Sequence, residues 1–267
     1  MDALIKSLRP GKNPEVKSPD VAPETRRLAG VSVVHGGLGL TRQRNSGIDA
    51  LASAVDVVAF IDDDVELHEE YLDHVLGTFR DRPDVVLVDG RVLADGPDVP
   101  RSRARQIVAT DDASKSRPPR DIGPELAYGC NMTVRSSVLA RTRFDERLPL
   151  YGYMEDRDFA FECARLGRLA RCDAATLVHL RPPGGRISAR RLGFSQIMNP
   201  VYLWRKGNYL SWRNLTWQVF RPLLINAALA LTPGRKAGRR RGQLAGNCRA
   251  ISEILRGRVA PEDITRL

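Results

Sequence analysis

Short apolar runs alternate with amphipathic stretches over the first two thirds of the chain. The apolar runs are rich in β-branched residues and predict buried strands at residues 31–35, 57–61, 85–88, 128–134 and 174–178. The amphipathic stretches between them predict helices at residues 41–54, 69–79 and 159–166. Strands that alternate with helices in this order favour an α/β fold with a mostly parallel sheet.

Other parts of the chain show different patterns. Residues 1–30 are rich in Pro and predict a short helix at residues 2–8, followed by a loop. Residues 94–124 have no firm periodicity, which favours a mobile loop over the sheet edge or a disordered segment. Near the C-terminus, three helical patterns place Trp, Leu and Ile beside a basic face, at residues 201–206, 212–231 and 243–255.

Composition and charge separate the chain into two parts. Its 267 residues, 42% of them hydrophobic, are enough to bury a full core. The formal net charge is +10, and residues 190–267 alone carry +12, whereas residues 1–189 sum to −2. We therefore expect an α/β domain over residues 1–190 and a basic amphipathic helical region over residues 191–267.

The basic tail has two interpretations that the sequence leaves open. Aromatic and apolar residues beside a basic face are typical of helices that lie in the interface of an anionic membrane. The same pattern fits a helical cap that packs on the α/β domain and exposes its basic face to solvent. Nucleic-acid binding is less favoured, because no recognised binding motif accompanies the charge.

Cysteine usage and hydropathy bear on location. The four cysteines show no CxxC spacing, which favours reduced, partly buried thiols over a zinc site or a disulfide framework. The start of the chain shows no signal-peptide pattern, and no apolar run approaches the roughly 18–20 residues that span a bilayer. We expect a cytoplasmic protein, peripheral on the inner face of the membrane if its tail binds lipid.

Three adjacent carboxylates, Asp62, Asp63 and Asp64, follow the apolar run at residues 57–61. Adjacent carboxylates repel one another, and a chain tolerates them most readily where a cation is bound. Mg²⁺ and Mn²⁺ are held by one or two carboxylates together with substrate phosphates. The triplet alone leaves a second interpretation open, in which Asp64 caps the helix that follows.

Further motifs accompany the triplet in a fixed order. They contain Arg44-Asn45 with a following glycine, Gly129-Cys130-Asn131, Glu155-Asp156 and a histidine at a strand end, at residues 37–48, 129–132, 152–159 and 177–179. In this order and at these spacings, the set resembles the inverting family 2 glycosyltransferases with the GT-A fold. The resemblance covers roughly residues 28–190.

The resemblance implies a metal site and a catalytic base. Asp64 and His179 would hold Mn²⁺ or Mg²⁺, with Asp62 in the metal shell or at the donor ribose. Asp156 would be the general base that takes the proton of an acceptor hydroxyl, and Glu155 would orient a hydroxyl or a neighbouring side chain. The residues alone also fit helix capping by Asp156 and a structural role for His179.

The resemblance also implies two substrate sites. The residues expected to contact a nucleotide-sugar donor are Arg42, Arg44, Asp62 and Asp63, and those expected at the acceptor are Gly129 and Asn131. The implied reaction is a hexosyl transfer to a hydroxyl of a sugar, a lipid-linked molecule or a small molecule. Such a transfer would belong to cell-envelope or secondary-metabolite glycan synthesis.

The N-terminal segment departs from the family pattern. Residues 1–30 show neither the expected first strand nor most of the first helix, which together form part of the nucleotide pocket. This departure leaves open a non-catalytic protein that binds a membrane or a protein partner. A nucleotidyltransferase would also place carboxylates and a metal at a sheet edge, but its expected Gly-rich basic loop is absent from these residues.

Overall fold

The computed structural model describes residues 5–6, 34, 36–51, 55–96, 99–112, 118–181, 187–207, 211–232, 234 and 237–267. The strands are Ile5–Lys6 (β1), Val57–Ile61 (β2), Val65–Leu67 (β3), Val85–Asp95 (β4), Arg120–Asp121 (β5), Asn131–Arg135 (β6) and Arg168–His179 (β7). The α-helices are Leu40–Asp49 (α1), Tyr71–Asp81 (α2), Arg101–Ala109 (α3), Ser136–Leu139 (α4), Glu155–Ala164 (α5), Ala189–Arg205 (α6), Trp212–Ala230 (α7) and Ala237–Leu255 (α8). Pro124–Leu126 and Pro261–Arg266 are 3₁₀ helices.

The strands form one seven-stranded sheet in the order β1-β2-β6-β4-β7-β3, with β5 paired to β7. The pairs β1/β2 and β4/β7 are parallel, and the other four pairs are antiparallel. The predicted α/β class is confirmed, but the sheet is mixed instead of mostly parallel. Short apolar runs predict burial on both faces of a sheet, and they do not fix the direction in which a strand pairs.

Strand β2 contributes to the core on both faces of the sheet, because all five of its residues are buried. Successive side chains of a strand point to opposite faces of the sheet. Val58 and Phe60 pack in one cluster with Phe159 of α5, and the alternate residues of β2 pack in a second cluster with Val75 of α2. The sheet is therefore covered on both faces, and the polar residues that follow β2 emerge at its edge.

Two predicted elements are wrong. Residues 5–6 form a strand, whereas the sequence predicts a helix at residues 2–8; Ile5 pairs opposite Ala59 of β2, and sheet pairing overrides a weak helical pattern. Helix α3 lies in the stretch predicted as a mobile loop. Its buried stripe consists of Ala104 and Val108, which lie one turn apart and are too few to show a clear period.

Several predicted elements differ in their bounds. Helix α1 ends at Asp49, and residues 52–54 of its predicted extent lie outside the described residues. The predicted strand at residues 31–35 also lies outside them, apart from Val34. Strands β4 and β7 extend beyond the predicted runs, to Asp95 and from Arg168.

The C-terminal helices pack closely on one another. Gly193 of α6 and Gly246 of α8 lie where the two helices cross, and a Cβ atom at either glycine would collide with the backbone of the other helix. Asn247 Nδ2 donates to Gly193 O over 2.7 Å, and Asn226 Nδ2 of α7 donates to Asn247 Oδ1 over 2.9 Å. The three helices are thus held by a buried polar network.

Helix α6 joins these helices to the sheet-containing part of the chain. Asn199 Nδ2 donates to the carbonyl of Tyr153 over 2.8 Å, and Lys206 Nζ lies 2.8 Å from Asp158 Oδ2 and 2.9 Å from Asp145 Oδ2. No helix in the described part of the chain combines the length and the apolar character needed to cross a membrane. The division into two domains near residue 190 stays a prediction.

Candidate active site

Asp62, Asp64 and His179 meet at one edge of the sheet. One ligand atom from each residue lies within 4.8 Å of the other two. The sheet creates this proximity, because β3 follows the acidic turn and pairs antiparallel with β7, where Val65 lies opposite His179. Two carboxylates and an imidazole form a donor set that fits Mn²⁺ or Mg²⁺.

The charges of the cluster are coupled. Burial and the charge of Asp64 raise the pKa of Asp62, against the opposing charge of Arg44. Burial also acts to raise the pKa of Asp64, but the hydrogen bond and the charge of His179 hold it below its ordinary value. For His179, burial opposes the charged form, and the carboxylates of Asp64 and Asp95 outweigh it and raise the pKa. The cluster is an electronegative site that a cation would stabilise.

A second layer of side chains surrounds His179. Tyr128 Oη donates to Asp95 Oδ2 over 3.0 Å and lies 3.0 Å from His179 Nδ1. Arg181 Nη2 donates to Tyr128 Oη over 2.6 Å, and Arg181 Nε lies 2.8 Å from Asp95 Oδ1. Sequence reasoning missed Asp95 and Tyr128. The position of Tyr128 beside the Gly129 motif was the available signal, whereas Asp95 gave none.

The first turn of α5 carries the second group of candidate residues. The turn is preceded by Gly152 and Met154, both with positive φ, and the backbone thereby presents Glu155 inward. Asp156 is partly exposed, and its Oδ2 accepts a hydrogen bond from the Gly129 amide over 3.1 Å. Glu155 is therefore enclosed, whereas Asp156 is accessible to a ligand.

Arg44 connects the two groups. Its Nη1 donates to Glu155 Oε1 over 2.7 Å, and its Nη2 donates to Asp62 Oδ1 over 3.3 Å and to the Gly129 carbonyl over 2.8 Å. Only 6% of Arg44 is exposed, and its guanidinium carbon lies 5.1 Å from the ring centre of Phe144. Arg44 is therefore a buried residue that links the acidic turn to α5. Its predicted contact with the donor stays a prediction.

Glu155 is the most enclosed acid of the site. Burial raises its pKa to about 8, against the opposing charge of Arg44, while Asp156 and Asp62 add to the increase. Its Oε2 atom has no hydrogen-bond partner among the described residues. This environment suits a positioning role better than proton transfer with a bound hydroxyl.

The structure does not bring Asn131 to the site. Its side chain is completely buried, and its Oδ1 accepts hydrogen bonds from the Gly90 amide over 2.6 Å and from Tyr71 Oη over 3.3 Å. Strand β6 turns this side chain into the core, so its position lends no support to the predicted contact of Asn131 with an acceptor, which stays a prediction. Gly129 is also buried, and a Cβ atom there would lie 3.1 Å from Asp156 Cβ, so this glycine permits close approach of the two segments.

Two other predicted donor residues lie at the rim. Arg42 is exposed, and its Nε lies 3.4 Å from Glu146 Oε2. Asp63 is partly exposed in the acidic turn, where its carbonyl accepts a hydrogen bond from Arg101 Nη2 over 3.4 Å. Their predicted contacts with the donor stay predictions.

Tyr151 is a further site residue that sequence reasoning missed. Its ring is about half exposed beside the carboxylates, and burial together with the charge of Asp156 raises the pKa of its phenol against the opposing charge of Arg181. Its neighbour Leu150 has a φ of 59°, and the Leu150 carbonyl accepts the Leu40 amide of α1 over 2.8 Å. The position of Tyr151 directly before the Gly152 motif was the only sequence signal.

Comparisons with known proteins give a structural match and a family match. No curated protein matches the chain. A crystal structure of GalNAc-T7 with UDP, GalNAc and Mn²⁺ matches at a TM-score of 0.46 and 14% identity, covering 85% of this chain and 44% of that one. The chain thus spans less than half the length of that protein.

The family comparison covers the first part of the site. A family model described as glycosyl transferase family 2 matches residues 19–144, which contain Arg44, the acidic triplet and the Gly129 motif. Asp156 and His179 lie beyond the matched stretch; the sheet brings His179 to Asp62 and Asp64, and Asp156 accepts a hydrogen bond from Gly129. Residues 19–144, slightly less than half of the chain, are thus similar to glycosyl transferase family 2.

Proposed function

We propose that the protein is a metal-dependent, inverting glycosyltransferase that moves a hexosyl group from a nucleotide sugar to an acceptor hydroxyl. The observation that carries this proposal is the double contact of Arg44 with Asp62 of the cation cluster and with Glu155 beside Asp156. An inverting transfer needs a stabilised leaving group on one side of the anomeric carbon and a base on the other. Arg44 holds the residues for both tasks in one site.

Asp62, Asp64 and His179 are the residues that would hold the cation, since their donor set and mutual distances fit a divalent ion. A bound Mn²⁺ or Mg²⁺ would supply Lewis-acid stabilisation of the departing nucleoside diphosphate. The three side chains would hold that ion at the sheet edge, next to the diphosphate end of the donor, and Arg42 and Asp63 at the rim are the residues proposed to contact the rest of the nucleotide.

Asp156 is the proposed general base. The Gly129 amide fixes its Oδ2 atom, so the carboxylate points in a defined direction while staying open to a ligand. It accepts the proton of the acceptor hydroxyl as that oxygen attacks the anomeric carbon from the face opposite the leaving group. Glu155, locked to Arg44, holds the first turn of α5 in place.

The acceptor side of the site is lined by Tyr151. A half-exposed aromatic ring beside a base suits the apolar face of a sugar ring, and a sugar, a lipid-linked sugar or a small hydroxylated molecule would meet this requirement. We propose a cytoplasmic location, supported by the three buried free thiols of Cys130, Cys163 and Cys172.

Thermal unfolding with nucleotides tests the proposal. The purified chain is melted with UDP, GDP or dTDP, each with and without Mn²⁺, because a ligand that binds only the folded state stabilises it, by about 2.7 kcal/mol at 100 times its Kd. We expect a shift for one nucleotide that requires Mn²⁺ and disappears in Asp64→Ala. Asp49→Ala, which removes an exposed carboxylate of α1, is the matched control.

A shift that is independent of Mn²⁺, or unchanged in Asp64→Ala, would contradict the proposed cation site. A folded protein that shows no shift with any nucleotide would favour the non-catalytic alternative. When the nucleotide is known, release of the corresponding nucleoside diphosphate in the presence of candidate acceptors measures transfer directly.

A further inference from the structure

Helix α7 exposes an apolar face. Trp217, Phe220 and Leu224 are 66%, 56% and 64% exposed, and Leu231 at the end of the helix is 88% exposed. Their spacings of three, four and seven residues place them on one side of a helix with 3.6 residues per turn. We call this surface, with Ala228 between Leu224 and Leu231, the α7 face.

The opposite side of the helix is buried and partly polar. Leu215, Asn226 and Ala230 are buried there, and Asn226 donates to Gln196 Oε1 of α6 over 3.0 Å as well as to Asn247 of α8. A helix of a globular protein normally buries its more apolar side. Because α7 is anchored through its other side, the large apolar residues of the α7 face are not explained by the packing of this chain.

The charge around the α7 face has one sign. Residues 174–252 contain 14 Lys and Arg and no Asp or Glu. Arg213 and Arg221 are exposed and share the α7 face at helical spacing with Trp217. Helices in the interface of an anionic membrane combine these features, with apolar side chains inserted between the lipids and arginines at the phosphate level.

We propose that the α7 face binds an anionic lipid surface with the helix axis parallel to the membrane, and that the acceptor is a lipid-linked hydroxyl presented from that surface. The second part rests on the proposed transferase function. The 19 residues of α7 carry Arg213 and Arg221, which suits a helix that lies in the interface.

Helix α6 connects the α7 face to the base. Asn226 of α7 donates to Gln196 Oε1 of α6 over 3.0 Å. Asn199, three residues further along α6, donates to the carbonyl of Tyr153 over 2.8 Å, in the loop that leads into α5. The α7 face and Asp156 are therefore linked through one helix, which is the geometric basis for the lipid-linked acceptor.

Vesicle flotation tests the surface without donor, metal or turnover. The full chain is mixed with vesicles of phosphatidylcholine alone or with about 30 mol% phosphatidylglycerol. We expect flotation only with the anionic vesicles, and a loss of vesicle affinity of about 100-fold or more in the triple variant Trp217→Ser, Phe220→Ser, Leu224→Ser. The matched control is Leu126→Ser with Leu255→Ser, which removes exposed leucines away from the α7 face.

The role of charge is measured in the same assay. Arg213→Gln with Arg221→Gln should weaken flotation and reduce its dependence on salt, because two phosphate-level charges are lost. Circular dichroism and the melting point of every variant establish that it is folded, which is expected because the changed side chains are exposed.

Several results would overturn the proposal. A folded wild-type chain that floats with neither vesicle, or a triple variant that floats like the wild type, removes the membrane as the partner. A wild-type dimer in light scattering that the triple variant lacks, without vesicle binding, assigns the α7 face to a second copy of the chain. Capture of an acidic protein in place of vesicles would also overturn it.

The two parts of the proposal fail separately from the proposed function. Asp156→Asn should float like the wild type, because vesicle binding does not use the base. If the chain floats and the nucleotide assays fail, the surface stands and the transferase proposal falls. If transfer to a soluble acceptor survives in the triple variant while transfer to a vesicle-embedded acceptor drops at least about tenfold, both parts are supported; equal loss with both acceptors contradicts the lipid-linked acceptor.

Discussion

His179 lies between two carboxylates, with its Nε2 atom 3.3 Å from Asp64 Oδ1 and its Nδ1 atom 3.1 Å from Asp95 Oδ1. A carboxylate that accepts Nδ1–H fixes the ring orientation and directs the Nε2 lone pair towards the cation cluster. Asp95 therefore acts on the cation site without belonging to it.

Removing Asp95 should weaken cation binding. Asp95→Ala frees the His179 ring to rotate and to change tautomer, and we expect Mn²⁺ affinity to fall by about 10–100-fold. Electron paramagnetic resonance of free Mn²⁺ measures this affinity without turnover. Asp111→Ala, which removes a carboxylate paired with Arg91 away from the cluster, should leave the affinity unchanged; equal losses in the two variants would contradict the role of Asp95.

The two acids of α5 should differ in what their removal changes. Asp156→Asn should lower turnover by about 10²–10⁴-fold with little effect on the melting point or on nucleotide binding, because the carboxylate is partly exposed and acts only on the acceptor. Glu155→Gln should lower stability by about 3 kcal/mol above pH 8, where the ionised carboxylate is the closest counter-charge of the buried Arg44, and by less at lower pH.

Steady-state kinetics and urea unfolding on both variants measure this contrast. An Asp156→Asn protein that keeps most of its turnover, while remaining folded, would refute the assignment of the base.

Asp89 should make stability depend on pH. Its side chain is completely buried, and burial raises its pKa to about 8, against hydrogen bonding from the Tyr128 amide and the charge of Arg171. The folded state then keeps a proton that an unfolded Asp, with a pKa of about 3.9, releases. The free energy of unfolding contributed by this group therefore falls as pH rises from about 4 to about 8.

Asp89→Asn should remove the part of the pH dependence of the free energy of unfolding that comes from this carboxyl group. We expect the variant to gain about 2–4 kcal/mol over the wild type at pH 8 and to lose that advantage towards pH 4. Urea unfolding at both pH values measures the difference, with Asp49→Asn on the surface as the control. Parallel pH profiles for wild type and Asp89→Asn would show that this carboxyl is ionised in the folded protein.

Lys206 should be essential for the docking of α6. Its ammonium group pairs with Asp158, a residue that is only 1% exposed, and also with Asp145. Lys206→Met leaves Asp158 buried beside an apolar side chain, and we expect a loss of about 2–4 kcal/mol in urea unfolding, since Lys206 itself is partly screened by solvent. The double variant Lys206→Met with Asp158→Asn should recover part of the loss; no recovery would assign the effect to other contacts of Lys206.

The meeting of Asp62, Asp64 and His179 was predictable from the sequence because short local patterns mark these residues. An apolar run predicts where β2 surfaces, the acidic triplet follows at once, and His179 ends another strand run. Ligands in α/β proteins gather where strands end, so these residues were expected at one edge. The resemblance to family 2 then predicted that Glu155 and Asp156 belong to the same site.

The remaining features depend on contacts between distant segments. The direction of each strand, the pairing of Ile5 with β2 and the burial of Asn131 follow from the assembled sheet, and no local pattern encodes them. The sequence suggests a surface arginine at a helix start for Arg44, and only the fold reveals its contacts with Glu155, Asp62 and Gly129. Helix α3 was missed because two small apolar residues produce no visible period.

The contact between Gly193 and Gly246 fixes more than the packing of two helices. Because neither position has room for a methyl group, α6 and α8 meet at a single separation and crossing, and α7 rests on both through Asn226. The orientation of α7 relative to Asp156 therefore depends on two glycines that lie outside both the α7 face and the candidate active site. A methyl group at either glycine would push α6 and α8 apart and would change the position of α7 relative to Asp156.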